Sequence, residues 1–202
     1  MPVDLQTQLL VAVAYLLGSL PIAVLASRWG AGADIHSLGT GIPGTANVYR
    51  EVGRVAGAVV AVLDLGKGAL AVGLLLAADS GVVGVGAGAV AVVVGHWWPV
   101  FARFRGGVGA GPAVGAIIVL APVGFIVAAP VAGLLLLVTR RAWTAGATTV
   151  GGPALVTLLR EGVTATTVTL IVLSAMVGLR LLTWREPTST PPTTDVEDRR
   201  AA

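Results

Sequence analysis

The sequence predicts an all-α integral membrane protein with about seven transmembrane helices, two of them short, an external N-terminus and glycine-rich loops on the cytoplasmic face. Three observations support this fold class: the composition, the series of apolar runs and the placement of arginines between the runs. Of the 202 residues, 55% are hydrophobic and only 11% are charged, whereas soluble domains carry about 25% charged residues. Because so few charges cannot cover an apolar core of this size, lipid must act as part of the solvent.

The apolar runs have the length of membrane helices, for which about 20 residues are needed. The fourth run is longer than one span requires, so it forms either one tilted helix or two short helices with a break near Pro122. The first run has no basic segment before it, and we do not expect it to be a cleaved signal peptide. The runs lie at roughly 5–27, 55–78, 81–100, 110–138, 144–159 and 163–183.

The arginines favour two short helices in the fourth run. Loops on the cytoplasmic side of membrane proteins are enriched in lysine and arginine. With the N-terminus outside, a single helix over residues 110–138 would place Arg140 and Arg141 outside, whereas two helices return both to the inside. Arg160 is then the only external arginine. We therefore predict seven spans, with six spans as the main alternative.

One membrane domain, residues 1–185, accounts for most of the chain. Its many glycines, 28 in the chain, would let helices approach closely, as packing in lipid requires. Segment 186–202 is rich in proline, threonine and acidic residues, and we expect a disordered cytoplasmic tail. The absence of cysteine excludes disulfides and thiolate metal sites. The net charge of +3, carried almost entirely by arginine, fits loops that face anionic lipid better than a nucleic-acid-binding surface.

The first unusual polar segment is "GADIHSLGTGIPGTANVYREVG", between the first two apolar runs. Backbone N–H groups exposed by glycine can bind an anion, and a nearby arginine can hold it. The alternative is a solvated loop with glycine turns, because a glycine-rich loop alone is a weak signal. The residues that could contribute are Asp34, His36, Gly39, Thr40, Gly41, Gly44, Asn47 and Arg50.

The second segment is "LDLGKG", inside the second apolar run. Asp64 and Lys67 are three residues apart, so they can pair on one face of a helix. A charged residue within a span costs a few kcal/mol and usually marks a site or a pathway. The alternative is an ion pair near the inner membrane surface that reaches toward water.

The third segment is "GHWWPVFARFRGGVGAG", in which His96 ends a helix and two tryptophans follow. Gly106, Gly107 and Gly109 form a second glycine-rich loop, next to Arg105, that can open the next helix. A helix N-terminus after a glycine turn binds anions well. The alternative is an aromatic belt with arginines on the inner side.

All three segments fall on the predicted inner side of the membrane. We therefore predict one cytoplasmic-side pocket for anionic ligands, in which residues 39–50 and 103–109 share a cavity. Two anion-binding loops would suit two phosphorylated ligands, or one ligand with two charged ends.

The segments resemble, in order and in spacing, three sequence blocks of the bacterial membrane glycerol-3-phosphate acyltransferases that use acyl phosphate, the PlsY family. The resemblance runs from about Tyr15 to Arg141, more weakly to about Leu182, and includes the opening helix "YLLGSLPIAVLAS". It implies a multi-pass protein of the bacterial plasma membrane with seven helices. It also implies transfer of a fatty acyl group from acyl phosphate to the 1-hydroxyl of glycerol 3-phosphate, which gives lysophosphatidic acid in phospholipid biosynthesis. No metal, nucleotide or other cofactor is implied.

The resemblance also implies roles for single residues, with the two substrates and membrane lipids as partners. Catalytic roles fall to Thr40, Asp64 and His96, and Asp64 or His96 could assist a proton transfer. The substrate-binding positions are Asp34, Gly39, Gly41, Gly44, Asn47, Arg50, Lys67, Arg105, Gly106, Gly107 and Gly109.

The chain departs from the family pattern at several polar positions. His36 stands where the family has arginine, Ile42 where it has asparagine, and Val108 where it has lysine. The family's C-terminal histidine and asparagine have no counterpart in "GLRLLTWREP". Three functions are therefore open: an active acyltransferase with a rearranged pocket, a non-catalytic paralogue that binds a lipid or phosphorylated metabolite or regulates a true acyltransferase, and a small transporter or channel.

Overall fold

The computed structural model describes residues 4–183, except the side chains of Ala142 and Trp143. Arg185 and the predicted tail, residues 186–202, lie outside this range. The described residues form nine α-helices and two short 3-10 turns, Ile35–Ser37 and Val100–Ala102. The helices are α1 (Leu5–Gly18), α2 (Ile22–Ala31), α3 (Thr45–Glu51), α4 (Arg54–Ala77), α5 (Gly81–Trp97), α6 (Ala110–Leu120), α7 (Pro122–Thr139), α8 (Ala142–Glu161) and α9 (Ala165–Thr183).

Five segments of the described chain are long and apolar enough to cross a membrane, which confirms an all-α, multi-pass architecture. α6 is apolar but has only 11 residues, and α8 has 20 residues but does not reach the same hydropathy. The five segments are Leu5–Ala31, Arg54–Ala77, Gly81–Ala102, Pro122–Thr139 and Ala165–Thr183.

The fourth apolar run is divided into two helices, as the arginines indicated. α6 ends at Leu120 and α7 begins at Pro122, where proline is tolerated because the first helical residue needs no N–H partner. The expectation that both helices are short is wrong for α7, which continues for 18 residues. Its apolar sequence runs on to Thr139, and Pro130 does not end the helix.

The first apolar run is not the single helix that the sequence predicted. α1 ends at Gly18 and α2 begins at Ile22, because Pro21 has no N–H to continue the hydrogen-bond ladder. The N–H of Ile22 donates to the carbonyl of Leu20 at 3.0 Å instead of to Gly18. The break therefore leaves the Gly18 carbonyl available inside the helix bundle.

Glycines bring α5 against the break in the first run. A Cβ atom at Gly18 would collide with the backbone of Val92, and a Cβ atom at Gly95 would collide with the carbonyl of Tyr15. The two backbones are thus in direct contact, as small residues allow in membrane helices. This crossing places His96, the residue after Gly95, next to the α1–α2 break.

A second pair of glycines brings α4 against the start of α6. A Cβ atom at Gly68 would meet the carbonyl of Pro112, and one at Gly115 would meet the carbonyl of Leu65. The close packing predicted from the glycine content is confirmed at both crossings. The second crossing holds the Asp64–Lys67 turn of α4 against the N-terminus of α6.

Candidate active site

The first polar loop is held in shape by its own short-range hydrogen bonds. Gly39 and Gly41 adopt φ values of +51° and +67°, a region that favours glycine. The buried Asn47 side chain accepts from the N–H of Thr40 at 3.2 Å and donates to the carbonyl of Leu38 at 2.9 Å. Thr40 Oγ1 accepts from the N–H of Ile42 at 3.4 Å. These contacts fix the loop that leads into α3.

Asp34 and His36 connect this loop to the third polar segment. Asp34 Oδ1 accepts the N–H of His36 at 3.0 Å and lies 2.7 Å from Nδ1 of the same residue. The backbone N–H of His36, followed by its ring, holds the pKa of Asp34 below its ordinary value. His36 Nε2 lies 3.1 Å from the carbonyl oxygen of Arg105. The two segments are therefore joined through one imidazole.

The third segment packs backbone to backbone on the end of α5. The N–H of Gly107 donates to the carbonyl of His96 at 3.2 Å, and a Cβ atom at Gly106 would collide with that same carbonyl. Trp97 Nε1 donates to the carbonyl of Val108 at 2.6 Å. Gly109 has a φ of +85° and precedes the first residue of α6. The glycine turn thus opens a helix, as the sequence predicted.

Asp64, Lys67 and His96 form a buried polar cluster. Lys67 Nζ lies 2.9 Å from Asp64 Oδ1 and 2.9 Å from His96 Nδ1. The exposed fraction of the side chain is 3% for Lys67 and 4% for Asp64, so the two charges are paired away from water. Lys67 also donates to the carbonyl of Gly18 at 3.1 Å and approaches that of Leu20 at 3.4 Å. The predicted pairing of Asp64 with Lys67 is confirmed.

A cavity of about 380 Å³ lies where the three segments meet. Its wall includes residues 40 and 42–44 of the first loop, residues 45–47 and Arg50 of α3, Asp64, His96, residues 108–111, Gly146 and Leu181. The two predicted loops therefore share a cavity, but only Val108 and Gly109 of residues 103–109 reach its wall, and neither Arg103 nor Arg105 does. A second cavity of about 340 Å³ lies at the opposite end of the bundle, beside Asp79 and Ser80, and no arginine, lysine or histidine is among the described residues that line it. The cavity where the three segments meet is the candidate active site.

Two features of the cavity attract anions. Arg50 is the only arginine or lysine among the described residues that line it, and its side chain is exposed. The N-terminus of α6 contributes Gly109, Ala110 and Gly111 to the wall. The first N–H groups of a helix have no partner within the helix, and they carry partial positive charge. One guanidinium and one helix N-terminus therefore face the same space.

The comparisons with known proteins agree with the resemblance. The family model described as glycerol-3-phosphate acyltransferase matches residues 8–188. The chain is 42% identical over 155 residues to the glycerol-3-phosphate acyltransferase of Myxococcus xanthus, covering 74% of this chain and 80% of that protein. The chain belongs to the glycerol-3-phosphate acyltransferase family. The match to the relative from Exiguobacterium sibiricum, 46% identical over 115 residues, covers 56% of this chain and about half, 54%, of the relative's length.

The fold is also that of a solved acyltransferase. The crystal structure of PlsY, an integral membrane glycerol 3-phosphate acyltransferase in its glycerol 3-phosphate form, superposes with a TM-score of 0.81 at 27% identity. The match covers 90% of this chain and 94% of that chain. The lysophosphatidic acid form of PlsY gives a TM-score of 0.78 at 26% identity. The family membership predicted from the three sequence segments is confirmed.

The structure divides the residues predicted from the acyltransferase family into two groups. Thr40, Gly44, Asn47, Arg50, Asp64, His96 and Gly109 line the cavity. The structure does not bring the others to the cavity wall: Lys67 belongs to the buried cluster, and Arg105, Gly106 and Gly107 line a smaller pocket with His96. This second group comprises Asp34, Gly39, Gly41, Lys67, Arg105, Gly106 and Gly107.

Two parts of the site lie outside the predicted site residues, and one of them, Arg180, is among the arginines that the sequence offers as replacements for the missing polar groups. The carbonyls of Gly18 and Leu20 contact Lys67. The sequence feature that indicates these free carbonyls is Pro21, which lies inside an apolar run and interrupts the helix. Arg180 on α9 places its Nε 3.4 Å from the carbonyl of Gly107 and its guanidinium 5.8 Å from the centre of the Trp97 ring. The sequence feature that indicates Arg180 is its position as a basic residue near the end of the last apolar run.

Proposed function

We propose that this protein transfers a fatty acyl group from acyl phosphate to the 1-hydroxyl of glycerol 3-phosphate and releases lysophosphatidic acid. The observation that carries the proposal is the shared cavity, where Arg50, Asp64, His96 and the N-terminus of α6 meet. Both substrates are anions, and the cavity combines an arginine with free helix N–H groups. Family membership supports the same reaction.

In this reaction the 1-hydroxyl oxygen bonds to the acyl carbon, and the bond between that carbon and the phosphate oxygen breaks. The phosphate leaves as hydrogen phosphate, because the proton of the 1-hydroxyl group ends on it. Acyl phosphate is already activated, so the protein mainly holds two repelling anions together and stabilises the developing oxyanion. Arg50 and the N–H groups of Ala110 and Gly111 are placed to bind phosphate oxygens.

We place the cavity at the cytoplasmic face of the bacterial plasma membrane, with seven spans and an external N-terminus. The end of the bundle that holds the cavity carries most of the arginines, whereas Arg160 is the only described arginine at the other end. This asymmetry supports the orientation because cytoplasmic loops are enriched in arginine. Counting α6 and α8 as spans together with the five long segments gives the predicted seven.

The proposal is tested with the purified protein in detergent, an acyl phosphate and radiolabelled glycerol 3-phosphate. We expect labelled lysophosphatidic acid to form only when protein and acyl phosphate are both present. The matched control is Arg50→Ala, prepared in the same way. Product no greater than that of the control reaction without protein would reject the proposed activity.

A second candidate function, a non-catalytic paralogue, is favoured by Val108. This side chain lines the cavity at a position where the family has lysine, so one cation expected near substrate is absent. Arg180 lies beside the neighbouring Gly107 and is placed to compensate in part. Rescue of a bacterial strain that lacks its own acyltransferase by this chain alone would exclude the non-catalytic function.

A further inference from the structure

Three of the four groups that contact Lys67 Nζ can only accept its protons. An ammonium group has three N–H donors and no lone pair. Its neighbours are the carboxylate of Asp64 at 2.9 Å, the carbonyl of Gly18 at 3.1 Å and the carbonyl of Leu20 at 3.4 Å. The remaining neighbour is Nδ1 of His96 at 2.9 Å. The side chains of Lys67 and Asp64 are only 3% and 4% exposed.

The ammonium group decides which nitrogen of His96 carries the proton. A neutral imidazole has one N–H group and one lone pair, on different nitrogens. Nδ1 can contact Lys67 at hydrogen-bond distance only by accepting, since an N–H at this position would point at another donor. The proton of His96 must then lie on Nε2. Asp64 Oδ1 is 3.9 Å from Nδ1, too far to accept a hydrogen bond from that nitrogen.

His96 lies between the cavity and a smaller pocket that Gly106 and Gly107 line. A Cβ atom at Gly107 would lie 2.7 Å from Nε2, so this nitrogen faces the glycine. The glycine therefore keeps the space in front of this nitrogen open. A ligand oxygen that enters this space from the cavity would meet an N–H group.

We propose that Lys67 is a positioning residue that holds His96 in the Nε2–H tautomer, so that His96 serves as a neutral hydrogen-bond donor to a substrate oxygen. The inference rests on the proposed function for the identity of the substrate, an anionic phosphate or a developing oxyanion. It changes the role that the sequence suggested for His96. The imidazole cannot take the hydroxyl proton, because the Nδ1 lone pair is bound to Lys67 and Nε2 already carries a proton.

The tautomer is tested directly by NMR with 15N-labelled histidine. The chain has only two histidines, so a His36→Gln variant assigns both rings. We expect proton-coupled Nε2 and unprotonated Nδ1 for His96 at neutral pH in the wild-type protein. Lys67→Met should change this pattern, and Lys67→Arg, which also only donates, should restore it. A proton on Nδ1 in the wild type, or an unchanged spectrum in a folded Lys67→Met protein, would overturn the proposal.

The donor role is tested by comparing two substitutions of His96. Glutamine keeps an N–H donor near the position of Nε2 but is no base, whereas alanine has neither. We expect kcat/KM to fall about 10- to 100-fold in His96→Ala, as for loss of a hydrogen bond to a charged group, and less in His96→Gln. Equal losses in both variants would contradict a donor role. Because the NMR measurement needs no activity, it can support the tautomer even if the proposed acyl transfer is not found.

Discussion

Asn47 and Arg50 both line the cavity, but they differ in what else they contact. Asn47 uses both ends of its amide on the loop backbone and is 2% exposed. Arg50, one turn further along α3, is exposed and lines the cavity. Substitution of Asn47 should therefore disturb the loop as a whole, whereas substitution of Arg50 should affect ligand binding alone.

The lowered pKa of Asp34 predicts how the stability of the folded protein depends on pH. Its pKa is lower in the folded protein, because the N–H and ring of His36 stabilise the carboxylate. The carboxylate thus contributes stability above its ordinary pKa of about 3.9, and this contribution is lost as the pH falls through the lowered value. Asp34→Asn should lower the melting temperature in detergent at pH 7 by at most about 2–4 °C, because the Asp34 side chain is 44% exposed and a solvent-screened pair contributes about 1 kcal/mol or less.

The control for this prediction is Asp79→Asn in the α4–α5 turn, where no change in melting temperature is expected. The difference between wild type and Asp34→Asn should be constant from pH 8 to about pH 5 and should decrease as the pH falls below about 4. A difference of the same size at pH 3 would show that ionisation of Asp34 is not its source.

Only part of the buried cluster could be predicted from the sequence. Asp64 and Lys67 are three residues apart on one helix, so their pairing depends on local geometry alone, and it is confirmed. The contact between Lys67 and His96 joins residues 29 positions apart. It depends on how α4 and α5 pack against α1, which sequence spacing does not determine. The free carbonyl of Gly18 depends on the same packing.

At the scale of elements, glycine contacts determine where the helices cross. A Cβ atom at Gly68 would collide with the backbone of Pro112. A Cβ atom at Gly73, on the same helix, would have no neighbouring atom within 4 Å outside its own helix backbone. Gly68→Ala should force α4 and α6 apart at a cost of about 1–3 kcal/mol. Thermal unfolding of the purified protein in detergent should show a clear loss of stability.

Gly73→Ala is the matched control, because it adds the same methyl group to the same helix in open space. We expect its melting temperature to be unchanged or slightly higher, since alanine favours the helix. Equal losses in Gly68→Ala and Gly73→Ala would mean that the crossing of α4 and α6 does not depend on close backbone contact.

The helix breaks show what hydropathy can and cannot predict. The break at Pro122 was predicted because the run was too long for one span and the arginines required a return to the inside. The break between Gly18 and Ile22 was missed because the run has the length of one span and its hydropathy continues through Pro21. The length of α7 was also misjudged, since Pro122 could begin a full-length helix as easily as divide the run into two short ones.

At the scale of the molecule, the orientation in the membrane yields a prediction. The chain has no cysteine, so single cysteines can be placed at will. Arg140→Cys lies in the α7–α8 turn and Glu161→Cys at the end of α8. With seven spans, a membrane-impermeant maleimide should label Glu161→Cys in intact cells, and Arg140→Cys only after the membrane is opened.

Labelling of both variants in opened membranes serves as the control for reactivity. Labelling of Arg140→Cys from outside in intact cells would contradict the seven-span orientation and support six spans. The same result would remove the argument that places the cavity at the cytoplasmic face, because Gly146 of α8 lines that cavity.

The most direct test of the account is the KM for glycerol 3-phosphate in wild type, Arg50→Ala and Arg54→Ala. Both arginines are exposed, but only Arg50 lines the cavity. Loss of a charge-assisted contact to phosphate costs about 1.5–3 kcal/mol, so KM should rise about 10- to 100-fold in Arg50→Ala. It should remain near the wild-type value in Arg54→Ala. Equal KM values in the two variants would contradict binding of the substrate phosphate in this cavity.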